Sequence, residues 1–247
     1  KIYFSPQNIK DLKGIIKKHS NFSFLAGGTD LSLKVTKERK EIPFIIDLKE
    51  VKELDFIKVS KNYLEIGAAT PLIKFENEIK KYYPDFYSIL KRYGSVQIRN
   101  VATIGGNIAT ASPIGDSLPI LLSLNAEILI ESFNQRKVLP MNNFFIDYRK
   151  TKLKRTEFIR SIKIPLFKKN IFKAFKISKR FDDDISSVCG SFNFKINNNK
   201  IKEAYIAYGG MAAVPKRAKA CEEILKNKPL TINTFDQAKN YLEKDLS

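Results

Sequence analysis

Twice in the first half of the chain an apolar run gives way to adjacent glycines and then to residues suited to starting a helix. The first instance is Phe24-Leu25-Ala26-Gly27-Gly28-Thr29-Asp30-Leu31, and the second is Ala102-Thr103-Ile104-Gly105-Gly106-Asn107-Ile108-Ala109. Glycine reaches positive φ without penalty and lets backbone N–H groups approach an anion with no Cβ in the way. A helix N-terminus adds partial positive charge, which suits a phosphate or pyrophosphate. One such turn is commonly structural. Two in one α/β region, neither with the G-x-G-x-x-G spacing of a Rossmann fold, suggest a dinucleotide clamp of another kind. The second run continues through Thr110-Ala111-Ser112-Pro113 to Gly115-Asp116-Ser117, adding hydroxyl and amide groups that can bond phosphate and ribose. Asp116 precedes an apolar helical stretch, where it reads equally as a helix N-terminal carboxylate or as a ligand.

Composition restricts the chemistry further. The chain has 247 residues, 43% of them hydrophobic, enough for one large core or two modest ones. His19 is the sole histidine, and Cys189 and Cys221 are the only cysteines. That leaves no His/Cys metal site, no cysteine-ligated cluster and no Ser-His-Asp machinery; any redox chemistry must come from a bound cofactor. No apolar run approaches the roughly 18–20 residues a membrane span needs. With 44 Lys+Arg against 26 Asp+Glu the net charge is +18. Such a balance permits an anionic partner, including nucleic acid, but the lysines are spread along the whole chain and read first as a solvated surface. The chain begins at Lys1 with no signal-peptide pattern; the cytoplasm is the default compartment, and the sequence is expected to be a piece of a longer polypeptide.

Apolar periodicity predicts strands over 2–4, 22–25, 43–48, 63–67, 126–131 and 158–164, and helices over 8–19, from about 30, over 84–93 and over 117–124. Thr70-Pro71 predicts a further helix, with Thr70 as N-cap and Pro71 at the first position. Beyond Pro165-Leu166-Phe167 three strand-like runs follow, over 171–178, 186–196 and 201–208, the last two joined by a tight turn at Asn197-Asn198-Asn199. Helices over 218–226 and 234–244 close the chain. An α/β part followed by a meander predicts two domains, 1–168 and 169–247.

At the glycine segments the sequence resembles the molybdenum hydroxylase flavoproteins. Ala26-Gly27-Gly28-Thr29-Asp30 and the run from Thr103 to Asp116 look like that family's two FAD-gripping loops. Asp147-Tyr148-Arg149-Lys150-Thr151, Lys176 to Ile185, and Gly209-Gly210-Met211 to Arg217 extend the likeness over essentially the whole chain. These segments resemble the FAD-binding portion of the small, iron–sulfur/FAD subunit of bacterial xanthine dehydrogenases more than the carbon monoxide or nicotinate types. The resemblance implies an α+β protein: an FAD-binding domain of the p-cresol methylhydroxylase type, made of two α/β subdomains, then a three-stranded antiparallel sheet with helices. It implies FAD contacts from Leu25, Ala26, Gly27, Gly28, Thr29, Asp30 and Leu31, and from Thr103, Ile104, Gly105, Gly106 and Asn107. Asp116 would accept from a sugar hydroxyl, while Tyr93, Ile159 and Lys176 would lie near the flavin ring. By themselves Tyr93 and Ile159 read as core residues and Lys176 as a solvated lysine. No side chain is assigned a catalytic role.

The charged loop Arg180-Phe181-Asp182-Asp183-Asp184 reads alone as a solvated turn. By resemblance it approaches the flavin, with Asp183 placed to tune it; Phe181 stands where some relatives carry a basic residue, so their electrostatics do not transfer unchanged. The implied function is electron transfer: from [2Fe–2S] clusters into FAD, then as hydride to NAD⁺, with molybdenum and its molybdopterin on a large partner subunit. The clusters belong to an iron–sulfur domain absent here, which implies a hetero-oligomer. Rival readings are the FAD subunit of another molybdenum hydroxylase, a scaffold that has lost FAD, and a basic nucleic-acid-binding module.

Overall fold

The computed structural model describes residues 1–181 and 183–246. Asp182, inside the acidic loop singled out above, and the terminal Ser247 lie outside the described residues. Strands Ile2–Phe4, Phe44–Asp47 and Ser23–Leu25 form a parallel sheet in that order. Parallel pairing requires a crossover, and helix Ile9–Lys18 supplies it. Asn8 caps that helix by accepting from the Asp11 N–H at 2.9 Å, and Ile9, Leu12 and Ile16 are buried against Phe44, Ile46 and Leu48.

A second sheet, antiparallel throughout, runs Ile57–Val59, Tyr63–Gly67, Phe158–Pro165, Glu127–Glu131, Arg136–Pro140. Its buried face packs on helices Leu72–Ile79, Pro84–Lys91 and Ser117–Ser123. The two edge strands of this sheet, hairpin Phe145–Asp147/Lys150–Thr151 and helix Val96–Val101 were not expected from periodicity. The predicted Thr70 cap is also corrected. Helix Leu72–Ile79 has Pro71 at its cap position, and its first N–H, from Leu72, donates to the Ala102 carbonyl. The buried Thr70 hydroxyl instead bonds the backbone N–H and carbonyl of Phe56, both at 3.1 Å.

The third sheet is antiparallel, with long strands Asn170–Ser178, Ser186–Asn197 and Lys200–Gly209 as expected, and a two-residue strand Lys216–Arg217 added at one edge. Helices Lys219–Leu225 and Ile232–Lys239 cover its outer face; the single helix expected to follow residue 234 breaks at Asn240, and Leu242–Leu246 forms a separate turn. Every residue of helix Ser117–Ser123 is buried, because the helix packs between the first-part core and strands Ser186–Asn197 and Lys200–Gly209. Among the described residues no helix is long and apolar enough to cross a membrane.

Candidate functional site

A cavity of about 680 Å³ opens where the three sheets meet. The volume lies within the ~300–1,000 Å³ common to ligand sites. It is lined by the first Gly-Gly loop and Phe24, by Ala68, Gly105 and Ile159, and by Lys176, Asp183, Asp184 and Ile185.

The two glycine segments turn out to differ. In the first, Gly28 has φ +73°, and a Cβ on Gly27 would meet the Val101 carbonyl oxygen at 2.0 Å, so the loop lies directly on the backbone of residues 101 and 102. Among the described residues the N–H groups of Gly27, Gly28, Thr29 and Asp30 have no protein acceptor, since the following turns begin their bonding at Ser32 N–H to Gly28 O. This loop offers donors to an anion. The second segment, expected as a loop, is the first turn of helix Ile104–Thr110. There Ile104 N–H donates to Thr70 O, Gly105 N–H to Ala68 O, Gly106 N–H to the Thr103 hydroxyl and Asn107 N–H to Thr103 O. Gly105 is needed because a Cβ would sit 2.5 Å from both the Ala68 Cβ and its carbonyl oxygen. From residue 104 to 107 this segment therefore brings side chains, and no free backbone donors, to the cavity.

Those side chains are already ordered. Asn107 Nδ2 donates to the Tyr93 hydroxyl at 2.5 Å, and the Ser117 hydroxyl donates to Asn107 Oδ1 at 2.5 Å. Burial pushes the Tyr93 phenol well above its ordinary range, so it stays neutral. Arg99, buried against Glu76 at 2.9 Å, donates to the Gly94 carbonyl at 2.6 Å and fixes the turn that carries Tyr93.

Two acidic residues stand at helix starts without capping them. Asp116 precedes Ser117–Ser123, yet its carboxylate accepts from Lys176 Nζ at 2.7 Å and from the Ser186 hydroxyl, in a pair only 2% exposed. Burial pushes the Asp116 carboxyl up, while the bonds from Lys176 and Ser186 pull it down. Lys176 Nζ also donates to the carbonyls of Arg92 (3.2 Å) and Asp184 (2.8 Å), so all three of its donors are engaged. Asp30, ahead of helix Leu31–Thr36, is held by one Arg149 nitrogen at 2.5 and 2.6 Å from its two oxygens. This bond raises the Arg149 pKa.

Of the residues singled out in the sequence, Ala26, Gly27, Gly28, Thr29, Asp30, Leu31, Tyr93, Thr103, Gly105, Gly106, Asn107, Asp116, Ile159, Lys176 and Asp183 line this one cavity. Leu25 and Ile104 do not: Leu25 belongs to the strand below the loop, and Ile104 is wholly buried in the core. Lys34, Arg149 and Leu153 also line it. Periodicity gave no sign of them, although the 147–151 motif had drawn attention to Arg149. Cys189 and Cys221 are free and buried, and among the described residues no cluster of His, Cys, Asp and Glu could hold a metal.

The cavity suits a dinucleotide such as FAD. Unpaired N–H groups on a glycine loop can answer a pyrophosphate, and Tyr93, Ile159 and Leu153 give the apolar lining a ring system requires. Comparison with known proteins agrees. Residues 1–167 match the family model of the FAD binding domain in molybdopterin dehydrogenase, and residues 173–247 match that of the CO dehydrogenase flavoprotein C-terminal domain. The nicotinate dehydrogenase FAD-subunit of Eubacterium barkeri is 29% identical over 95% of this chain and 82% of its own length. Xanthine dehydrogenase 1 of Arabidopsis thaliana is 31% identical over 97% of this chain, which spans only 19% of that larger protein. Among solved structures, the carbon monoxide dehydrogenase of Hydrogenophaga pseudoflava superimposes with a TM-score of 0.91 at 23% identity, covering 97% of this chain and 84% of that one. Quinoline 2-oxidoreductase from Pseudomonas putida 86 gives 0.89 at 20% identity, covering 99% and 86%. With both parts of the chain matched in order, and with the glycine loop, Tyr93 and Ile159 gathered on one cavity, this protein belongs to the FAD-binding flavoproteins of the molybdenum hydroxylases.

Proposed function

We infer that this chain is the FAD module of a xanthine dehydrogenase, receiving electrons from iron–sulfur clusters on another domain or chain and delivering them to NAD⁺. The carrying observation is one cavity lined both by unpaired backbone donors of the glycine loop and by apolar side chains such as Ile159 and Leu153. Supporting the xanthine assignment are the segments from Tyr148 to Thr151 and from Lys179 to Ile185, together with the 31% identity to a xanthine dehydrogenase. The bound FAD supplies the two-electron chemistry, and the protein supplies grip, orientation and field. Gly27 to Asp30 would hold the pyrophosphate through backbone N–H groups. Arg149 neutralises Asp30 beside it, so that the loop does not repel the phosphates. Tyr93, kept neutral by burial and fixed by Asn107, would line the flavin site together with Ile159. Lys176 acts by holding Asp116 and the 178–185 loop, with no donor left for the ring.

A second reading, the FAD subunit of a nicotinate-type hydroxylase, is favoured by the nearly full-length match to a separate FAD-subunit chain. Denaturing the purified protein and identifying the released flavin by chromatography and mass tests the module. FAD near one per chain is expected; none after incubation of the full subunit with excess FAD would overturn the reading. Assaying the assembled complex with hypoxanthine, xanthine and nicotinate separates the two substrate readings.

A further inference from the structure

The hairpin Phe145–Asp147/Lys150–Thr151 is fastened at its base and bare at its tip. At the base Phe145 packs on the largest core cluster and meets the Phe144 ring at 5.4 Å, while Lys152 N–H donates to the Phe144 carbonyl at 2.9 Å. Residues 146–150 are all exposed, so burial does not hold the tip down. The tip is the two-residue turn Tyr148-Arg149, with Arg149 in the left-handed region at φ +53°. Glycine or asparagine would sit there at less cost, so local preference does not account for an arginine.

The side chain gives the reason. One guanidinium nitrogen lies 2.5 and 2.6 Å from the two carboxylate oxygens of Asp30, 119 positions away on the first glycine loop. Among the described residues this is the one hydrogen bond or ion pair that joins residues 146–150 to the rest of the chain; the bonds of Tyr148 and Lys150 run to Asp147 within the hairpin. Asp30 and Arg149 both line the cavity, and their side chains are 40% and 41% exposed. Lining residues that solvent also reaches stand where a cavity opens. At that opening the pair joins the loop with free N–H groups to a flap that no other polar bond restrains.

We propose that Asp30 and Arg149 form a gate: the hairpin tip closes on the glycine loop through this pair, which must part each time a dinucleotide enters or leaves the cavity. The gate rests on the FAD reading above and adds a step to it. An exposed ion pair is weak enough to open readily, yet worth enough to slow traffic severalfold. Opening of such flaps commonly governs release from a site. Because both partners belong to the chain, removing the pair speeds entry and exit alike and leaves affinity nearly unchanged. A direct ligand of the phosphates behaves otherwise: its loss speeds release alone and weakens binding.

The test uses two variants of the full chain that keep the local net charge. Asp30→Asn/Arg149→Asn removes the pair while asparagine still tolerates the left-handed turn, and Asp30→Arg/Arg149→Asp rebuilds the pair with its charges exchanged. FAD entry is timed on mixing with the flavin-stripped chain and release on dilution, both from flavin fluorescence. In the neutral variant both rates are expected to rise about fivefold, the scale of an exposed ion pair, with Kd changed by less than about twofold. The exchanged variant is expected to return both rates to within about twofold of those of the unsubstituted protein. Faster release with unchanged entry in the neutral variant would make the pair a direct ligand and overturn the gate. So would rates that ignore its removal, or an exchanged variant as fast as the neutral one. Trypsin gives a reading that needs no flavin: in flavin-stripped Asp30→Asn, cleavage after Lys150 should run about fivefold faster than in the unsubstituted chain. Equal cleavage would also sink the proposal. If the unsubstituted chain took up no FAD while the trypsin contrast held, the FAD reading would have failed and not the closure of the tip.

Discussion

Gly27 and Gly14 carry the same side chain and opposite expectations. A Cβ at Gly27 would collide with backbone at 101 and 102, which cannot retreat as a flexible side chain could. Gly27→Ala is therefore expected to cost about 1–3 kcal/mol in denaturant unfolding, as overpacking does, and to lower FAD occupancy. Gly14 sits in helix Ile9–Lys18, exposed, with nothing within 4 Å of its would-be Cβ. Gly14→Ala should stabilise by up to about 1 kcal/mol, measured the same way. Lys176→Met should destabilise by about 3–5 kcal/mol, because it strands the buried Asp116 carboxylate rather than merely losing an attraction. If its urea midpoint instead matched that of the unsubstituted protein, the pair would contribute nothing. The glycines were legible in sequence as a motif. What each one does was not, since it depends on Val101 and Ala68, which the chain brings up from elsewhere. Lys176 shows the same limit: residue type suggested a solvated lysine and the resemblance placed it near the flavin, but acceptors on Arg92, Asp116 and Asp184 engage it.

At the scale of elements, amphipathic segments were the readable ones. Helix Ile9–Lys18 declared itself through Ile9, Leu12 and Ile16 on one face and Asn8 as cap. Helix Ile104–Thr110 hid behind its paired glycines, whose weak helix propensity tertiary bonds override: Thr103 caps it and Ala68 and Thr70 take its first N–H groups. Helix Val96–Val101 is short, rich in β-branched residues and mostly exposed, so periodicity had little to work on. Between elements, Glu131 ties helix Ile9–Lys18 to the antiparallel sheet: Lys13 approaches it at 2.6 Å, Arg136 at 3.2 Å and Arg160 at 3.7 Å. Burial raises the Glu131 carboxyl, but Lys13 and Arg136 outweigh it, and the net shift is downward. A carboxyl held below its unfolded value lends stability that is complete above the ordinary glutamate range. That stability is lost as pH falls through the folded value. Glu131→Gln should thus flatten the acid limb of a stability–pH profile below about pH 4.5, the ordinary range for a glutamate. A limb of unchanged steepness would assign acid sensitivity to other carboxylates.

Across the whole molecule the largest of the three buried clusters spans both parts of the chain. Ala174, Cys189 and Ala207 of the third sheet belong to the same buried cluster as Ile66, Phe75 and Leu121, and the buried hydroxyls of Ser123 and Ser191 meet at 2.6 Å across that junction. The change of sequence character after residue 167 was visible, whereas the bonding across it was not, because contacts such as Arg92–Phe181 and Asp116–Lys176 join residues 89 and 60 positions apart. Calorimetry should accordingly give one transition whose van't Hoff and calorimetric enthalpies agree, and two separated peaks would contradict the shared core. Saturating FAD at 100 times its Kd should add about 2.7 kcal/mol and raise Tm by roughly 5–10 °C. The unequal glycine pairs bear on how such chains age. Gly27 and Gly105 are required by backbone lying against them, so purifying selection for folding alone would retain both in a descendant that had abandoned its flavin. In a lineage drifting toward a purely architectural duty, the signature would outlive the activity it advertises, and decay would show first at Tyr93, Asn107 and Arg149.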